Sequence, residues 1–209
     1  MTTRRQFLKT GTAAAAGAVF CSCGLLQNAH GQQPARQTLP VMVGGKRIKS
    51  IDVHAHCHFH EAGALLGPEA DKVMQVPVNG ADEAFIDMNR RLAVMDSQAV
   101  DMEILSINPY WYGRDRDLAG AIVKIQNEKL AELCASKPDR FAAFASLTLQ
   151  APDLAVRELE TAVKKQGLKG AAIGGVVDGV EFSDPKFHPV WAKAEELGVP
   201  LFIHPQAQP

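Results

Sequence analysis

This sequence has few cysteines, few long apolar runs and almost no excess of charge of one sign. Four of its 209 residues are cysteines, and two of these, Cys21 and Cys23, lie near the N-terminus. The remaining pair, Cys57 and Cys134, is too few for a disulfide framework. With 22 basic and 23 acidic residues the formal net charge is −1. Because the basic residues form no block, the sequence carries no electrostatic footprint of nucleic-acid binding.

A basic N-terminal segment precedes a short apolar stretch, and the pattern closely resembles a twin-arginine export signal. Arg4 and Arg5 are followed by an Ala-rich stretch at residues 11–26. That stretch is too short and too weakly apolar for a confident membrane span. Ala29 and Gly31 fit a cleavage site, as expected of a secretory leader. We therefore predict export to the periplasm or the cell exterior, with an uncleaved anchor as the alternative.

The rest of the chain divides into a tether and one domain. Residues 1–31 are predicted to be the signal peptide and residues 32–46 a polar linker that ends in a turn. Residues 47–209 are predicted to form a single domain, since they are numerous enough to enclose a hydrophobic core.

Strand-like apolar runs alternate with segments of helical period from Arg47 onward. The predicted strands are Ile48–His54, Met102–Ile107, Phe141–Leu147, Gly170–Gly174 and Pro200–His204. The predicted helices are Asp82–Gln98, Asp117–Lys137, Pro152–Gln166 and Pro185–Leu197, and the stretch from Cys57 to Gly80 is predicted to be irregular. This βαβαβαβαβ order predicts an α/β fold with a parallel sheet and crossover helices.

Two α/β architectures compete for this pattern. A doubly wound sheet would place a Gly-rich phosphate-binding turn after its first strand, and the sequence has none there. A (β/α)8 TIM barrel builds its site at the C-terminal ends of its strands, where His54 and His204 lie. We therefore predict a partial (β/α)8 barrel of about five βα units. Because eight units need about 250 residues, we expect the sequence to be a fragment or a truncated product.

Two histidines one residue apart close the first predicted strand. Side chains two apart on a strand point to the same face, so His54 and His56 can direct both imidazoles at one divalent metal ion. His204 ends the fifth predicted strand and would face the same cavity mouth in a barrel. A solvated histidine-rich loop and a packed histidine pair without metal are the competing interpretations. His58 and His60 extend the cluster, and we expect them to lie in a loop without metal contact.

Motifs at both ends of the predicted domain carry a family resemblance. Asp52–His56 and Phe202–Pro205 look like the metal-binding motifs of the amidohydrolase superfamily. Within it, the chain is most similar to aminocarboxymuconate-semialdehyde decarboxylase and related "amidohydrolase 2" proteins. Weaker supporting matches lie in Lys137–Phe141, Gly167–Ala171 and Phe187–Trp191. The resemblance covers almost the whole predicted domain.

The resemblance implies one metal ion, usually zinc, bound by His54, His56 and His204. It also implies a histidine after a sixth strand and a proton-handling aspartate after an eighth. Both positions lie beyond Pro209, so the catalytic residues stay unknown. Some members bridge two metals with a lysine on strand four, but Lys169 stands at the wrong end of that strand, which favours one metal.

The resemblance further implies a metal-dependent hydrolase or decarboxylase acting on a small carboxylated or amide substrate through metal-activated water. The alternative is a truncated, inactive fragment that binds metal. A related metal-dependent phosphodiesterase would place an acidic or lysine ligand after strand four, where Gly174 and Gly175 stand. We expect a small molecule as the partner, with no nucleic acid and no stable membrane span in the mature form, and homo-oligomerisation is left open.

Other polar and aromatic residues receive weaker predictions. Tyr110 and Trp111 follow the second strand, where aromatic rings suit stacking on a planar substrate or covering of the barrel rim. Nothing near Cys57 marks it as a nucleophile. Three acidic residues after strand four are predicted to be solvated, and His188 is predicted to be structural. The three acidic residues are Asp178, Glu181 and Asp184.

Overall fold

The structure is a computed structural model that describes residues 39–70 and 87–204. These residues belong to one compact unit, Gln37–Pro209. The predicted signal peptide lies outside the described residues. The strands are β1 Met42–Val43, β2 Lys46–Arg47, β3 Ile51–His56, β4 Met102–Ser106, β5 Phe141–Ala143, β6 Ala171–Gly174 and β7 Leu201–His204. The helices are α1 His60–Gly63, α2 Met88–Ser97, α3 Arg116–Ser136, α4 Pro152–Lys164 and α5 His188–Leu197, with 3-10 turns at Ala64–Glu69 and Pro185–Phe187.

A parallel sheet carries the fold, and its strands lie side by side in chain order. Strands β3, β4 and β5 form one hydrogen-bonded group, and β6 pairs with β7. A bridge between Ala145 and Ala171 joins the two groups. There the Ala145 N–H donates to the Gly170 carbonyl at 2.8 Å, and the Ala172 N–H donates to the Ala145 carbonyl at 2.9 Å. The predicted α/β class and parallel sheet are confirmed.

The hydrophobic core lies between one face of this sheet and the helices. Leu105 of β4 is fully buried, as are Ile122 and Leu130 of α3 and Leu159 of α4. Side chains alternate between the two faces of a strand, so Ala55 enters the core while His54 and His56 point to the opposite face. The two histidines therefore lie on the face of the sheet that the helices do not cover.

The first strand begins later than predicted and includes both histidines. It was predicted as Ile48–His54, but the Ile48 N–H donates to the Val41 carbonyl at 2.8 Å and so extends the preceding hairpin. Pairing with β4 starts at Ile51 opposite Met102. The turn predicted at the end of the linker is present at Gly44 and Gly45. Their φ angles of +56° and +78° favour residues without a Cβ.

The third strand is shorter than predicted, and beyond its end a side chain bonds the backbone groups of Ser146. The prediction was Phe141–Leu147, whereas β5 ends at Ala143. Beyond it, Asn127 of α3 bonds both backbone groups of Ser146. Its Nδ2 donates to the Ser146 carbonyl at 3.0 Å, and its Oδ1 accepts from the Ser146 N–H at 2.8 Å.

Helix predictions differ mainly at the N-terminal ends. The helix predicted at Asp82–Gln98 is observed from Met88, with Asp87 accepting from the N–H groups of Asn89 and Arg90 as its cap; residues 71–86 lie outside the described residues. The other predicted helices agree within about two residues, although the fourth begins as a 3-10 turn. The stretch predicted as irregular contains α1. In the part of the chain that the structure describes, no helix is long and apolar enough to cross a membrane.

Candidate metal centre

Three histidines from the first and last strands of the parallel sheet meet at one point. The ring centroids of His54 and His56 lie 4.8 Å apart, and those of His204 lie 4.8 Å from His54 and 4.7 Å from His56. One ligand nitrogen from each ring can be chosen so that all lie within 4.8 Å of one another. Since β3 and β7 are separated by three strands, this contact requires the sheet to curve. The structure therefore brings together all three predicted metal ligands.

The geometry and chemistry of the cluster fit a divalent metal ion. The Nε2 atoms of His54 and His56 are 2.8 Å apart. Two nitrogens bound to one zinc ion at about 2.0–2.1 Å would be separated by about 3.0–3.4 Å, so a small displacement of the rings suffices. All three histidines are partly exposed, which leaves a path for an ion and a further ligand. A site of three imidazoles with open positions is typical of catalytic zinc.

His56 is held in the neutral form that a metal requires. Burial, together with the neighbouring His204, His54 and Arg91, lowers the pKa of its imidazole to about 4, and only Asp52 acts in the opposite direction. Because a ligating imidazole must be deprotonated at the coordinating nitrogen, His56 is ready to bind a cation at neutral pH.

Arg91 of α2 anchors the end of β3 from the helical side. Its side chain is 8% exposed, and its Nε donates to Glu103 Oε2 at 2.9 Å. Its Nη1 donates to the His56 carbonyl at 2.9 Å, and its Nη2 donates to the same oxygen. Burial raises the pKa of Glu103, while Arg91 opposes that shift. This fork fixes the backbone of His56.

A role for Arg91 was not predicted from the sequence, although its position among the apolar residues of the helix indicates burial. Arg91 follows Met88 by three residues and precedes Met95 by four, so it lies on the face of the helix that the apolar residues bury. A charged residue at such a position is rarely buried without a partner. The partner, Glu103, comes from another element and is not visible in the local pattern.

Further side chains surround the histidines. Asn108 Nδ2 lies 3.3 Å from His56 Nδ1, and Asp52 Oδ1 accepts from the His54 N–H at 2.9 Å. Phe202 presents its ring edgewise to His54 at 5.3 Å and stacks on Phe144 at 5.5 Å. The centre therefore has polar contacts and an apolar wall.

Of the two aromatic residues predicted to line the cavity mouth, Tyr110 and Trp111, one lies in the core instead. Trp111 is fully buried, and its Nε1 donates to the Leu147 carbonyl at 2.9 Å, so its ring has no face open to a substrate. The prediction of substrate contact does not agree with this placement, because the loop after β4 folds back into the core. Tyr110 is half-buried, and its hydroxyl accepts from Gln126 Nε2 at 3.0 Å. Its role with substrate stays a prediction.

The remaining residues lie apart from the cluster. His58 is buried and packs against His60 with ring centroids 5.4 Å apart, and neither belongs to the group of three. Asp184 caps a 3-10 turn by accepting from the Lys186 N–H, which is a structural role. His188 is exposed at the start of α5.

Comparison with known proteins places this geometry in a family. The family model described as "Amidohydrolase" matches residues 51–209. The chain belongs to this amidohydrolase family. The predicted superfamily is thereby confirmed, and the match begins at β3 with the two histidines and includes His204.

Relatives and solved structures are similar over part of their length. Gamma-resorcylate decarboxylase of Rhizobium radiobacter is 40% identical over 124 residues, which cover 56% of this chain and 38% of that protein. 2-Amino-3-carboxymuconate-6-semialdehyde decarboxylase of Dictyostelium discoideum is 30% identical, covering 57% of this chain and 34% of that protein. A dihydroxybenzoic acid decarboxylase from a Polaromonas species, solved with manganese and the inhibitor 2-nitroresorcinol, is 27% identical. Its TM-score is 0.64, over 77% of this chain and 50% of that chain. The matched part of the chain thus spans less than two fifths of the length of these two curated relatives.

Proposed function

We propose that this amidohydrolase chain carries the metal-binding part of a metal-dependent decarboxylase acting on small aromatic carboxylic acids. The observation that carries the proposal is the convergence of His54, His56 and His204 at one point, on the face of the sheet away from the helices. In this reading the five parallel strands are part of a (β/α)8 barrel, and the histidines stand at the strand ends where such barrels build their sites.

The names of the relatives favour decarboxylation over hydrolysis. Gamma-resorcylate decarboxylase and the muconate-semialdehyde decarboxylase both cleave a carboxylate from a small unsaturated acid, by name. The ligand of the Polaromonas structure, 2-nitroresorcinol, is a benzene ring with hydroxyl groups beside a polar substituent. A hydroxylated benzoate is therefore the substrate class we assign to this chain.

The reaction exchanges carbon dioxide for a proton on one ring carbon. The bond between that carbon and the carboxylate breaks, its electron pair stays on the carbon, and a proton takes the place of the departing carbon dioxide. When bound, the metal would orient the substrate oxygens and stabilise negative charge as a Lewis acid. His54, His56 and His204 would hold it, and the stacked pair of Phe144 and Phe202 would offer an apolar wall to the ring.

The metal and the location of the protein are further parts of the proposal. Imidazole ligands suit zinc, which the family resemblance also favours, whereas the Polaromonas decarboxylase contains manganese. We propose one divalent ion per chain, with zinc as the first candidate and manganese as the second. The paired residues Arg4 and Arg5 support export by the twin-arginine route, which would place the protein in the periplasm or outside the cell.

Metal binding tests the proposal directly. Purified full-length chain should retain about one zinc or manganese ion, and His54→Ala or His204→Ala should weaken binding more than about 100-fold because each removes one of three ligands. His188→Ala is the matched control, since His188 is an exposed histidine outside the cluster. Calorimetric titration and elemental analysis give the affinity and the stoichiometry. Stoichiometric binding in both cluster variants would contradict the site.

A second experiment separates a decarboxylase from a protein that only binds metal. The second candidate is favoured by one observation: among the described residues, the only group that could hold a metal consists of three histidines and includes no acidic side chain. Metal-loaded chain is incubated with gamma-resorcylate, and carbon dioxide release is followed. Release that disappears in His54→Ala supports the decarboxylase, whereas tight metal binding without release supports the second candidate.

A further inference from the structure

Asn108 stands beside the ring of His56 in a loop that several hydrogen bonds fix. Its amide nitrogen lies 3.3 Å from His56 Nδ1. The Asn108 carbonyl accepts from the Tyr110 N–H at 2.9 Å, and Trp111 anchors the same loop in the core through its indole N–H. Gln150 Nε2 adds a bond to the Trp111 carbonyl at 2.9 Å. Asn108 is therefore an exposed side chain on a firmly held backbone.

The position of one proton on His56 decides whether it can bind a metal. A neutral imidazole carries a proton on one nitrogen and a lone pair on the other. His56 Nε2 faces His54 Nε2 at 2.8 Å, so Nε2 is the atom that points into the cluster. To bind a metal there, Nε2 must offer its lone pair, and the proton must sit on Nδ1. That N–H then needs an acceptor.

The amide of Asn108 can supply either partner to Nδ1. With its NH2 group towards the ring, it donates to Nδ1, and the proton of His56 then sits on Nε2 and can be shared with His54. After a rotation of 180° the carbonyl Oδ1 faces the ring and accepts from the Nδ1 N–H. The two orientations have almost the same shape, and the assignment of nitrogen and oxygen follows from the hydrogen bonds. Only the second orientation leaves Nε2 available for a metal.

We propose that Asn108 is a positioning residue that selects the metal-binding tautomer of His56 by accepting its Nδ1 proton. The inference rests on the proposed metal centre. Arg91 fixes the carbonyl of His56, and the amide of Asn108 then sets the ring. Groups that bond the outer nitrogen of a ligating histidine orient the ring and raise its basicity.

Two substitutions at Asn108 should differ in metal affinity, because only one of them keeps a hydrogen-bond acceptor. Asn108→Leu removes the acceptor and should weaken zinc and manganese binding about 10- to 100-fold. Asn108→Asp supplies a stronger acceptor and should bind at least as tightly as the natural chain. The matched controls are Asn89→Leu and Asn89→Asp at an exposed asparagine of α2, which should leave affinity unchanged. Calorimetric titration of the full chain with each metal alone gives the dissociation constants.

Two readouts separate positioning from a structural role. Nitrogen-15 NMR of the zinc-loaded natural chain should show a protonated Nδ1 on His56, and Asn108→Leu should shift that signal. The rise in Tm on adding zinc should shrink in Asn108→Leu, even if its metal-free Tm also falls. Unchanged affinity in Asn108→Leu, or equal losses in the Leu and Asp variants, would overturn the role of Asn108 while the centre stands. A natural chain that binds neither metal would overturn the centre itself and this inference with it.

Discussion

At the scale of single residues, Cys57 shows how burial controls reactivity beside the candidate metal centre. It follows the last histidine of β3, yet the residue is only 4% exposed. Burial raises the pKa of the Cys57 thiol to about 12, and burial also raises the pKa of Cys134, to about 11. Both described cysteines are free. The expectation that Cys57 is not a nucleophile agrees with this environment, since the thiolate is the reactive form.

We predict that Cys57 resists alkylation in the folded chain at pH 8. A pKa near 12 in place of 9.0 leaves roughly a thousandth of the thiolate present in the unfolded chain. The raised pKa also has a consequence for stability: the thiol favours the folded state below about pH 9, and this contribution is lost as the pH rises towards 12. Iodoacetamide labelling read by peptide mass spectrometry checks the rate, with urea-unfolded chain as the reference. Equal labelling of folded and unfolded chain would contradict the prediction.

The residues of the centre differ in how far sequence could predict them. His54, His56 and His204 were predicted, because strand period and strand ends are local properties of a sequence. Arg91 and Asn108 were not, because each acts through a contact with another element. Trp111 was placed at the rim from its position after a strand, whereas the loop returns it to the core. Local pattern therefore finds the ligands but not the side chains that hold them.

At the scale of elements, Gly170 permits the two strand groups to join. Its φ of +138° is a conformation that side chains with a Cβ rarely adopt. A Cβ at this position would also fall well inside van der Waals distance of the Pro200 carbonyl oxygen. That oxygen accepts from the Ala171 N–H at 3.2 Å, while the Gly170 carbonyl accepts from Ala145. The glycine thus lies between β5 and β7, where backbones approach closely.

We predict that Gly170→Ala lowers the free energy of unfolding by about 2–4 kcal/mol, from backbone strain together with the clash. Gly167→Ala is the matched control. Gly167 also has a positive φ, +73°, but open space around its Cβ position, so about 1–2 kcal/mol is expected. Urea unfolding of the full chain followed by circular dichroism measures both. Equal losses in the two variants would mean that the close approach to Pro200 has little effect.

Element boundaries were predictable where the sequence itself stops the element. Pro152 begins α4 as predicted, and Gly198, with a φ of +64°, ends α5. The course of the chain after β5 was not predictable, because it depends on contacts with other elements: Ala145 pairs with Ala171, and the amide of Asn127 reaches across from α3 to Ser146. An asparagine inside a helix gives no local indication that it will bond the backbone of another element.

At the scale of the whole molecule, the described sheet ends in two outer strands that expose apolar side chains. Ile51 and Val53 of β3 are 47% and 53% exposed, and Ile203 of β7 is 56% exposed. Outer strands also present unpaired backbone groups to solvent and readily pair with other chains. In a closed barrel such edges do not exist. The proposed barrel would therefore cover both strands.

We predict that residues 32–209, produced alone, associate through these edges at micromolar concentration. Lysine on an edge strand discourages such pairing, so Val53→Lys combined with Ile203→Lys should shift the chain towards the monomer. Val94→Lys is the control, because Val94 has a comparable exposure of 39% but lies on α2, where its carbonyl already accepts from the Gln98 N–H at 3.0 Å. Light scattering after size exclusion reports the mass of each species.

The lysine pair alters only the edge strands and leaves the three histidines in place. An increase in the monomer fraction with retained zinc binding would therefore locate the association at β3 and β7. A natural sequence that stays monomeric at about 100 μM would instead mean that five βα units are self-sufficient, and that the exposed edges do not drive association.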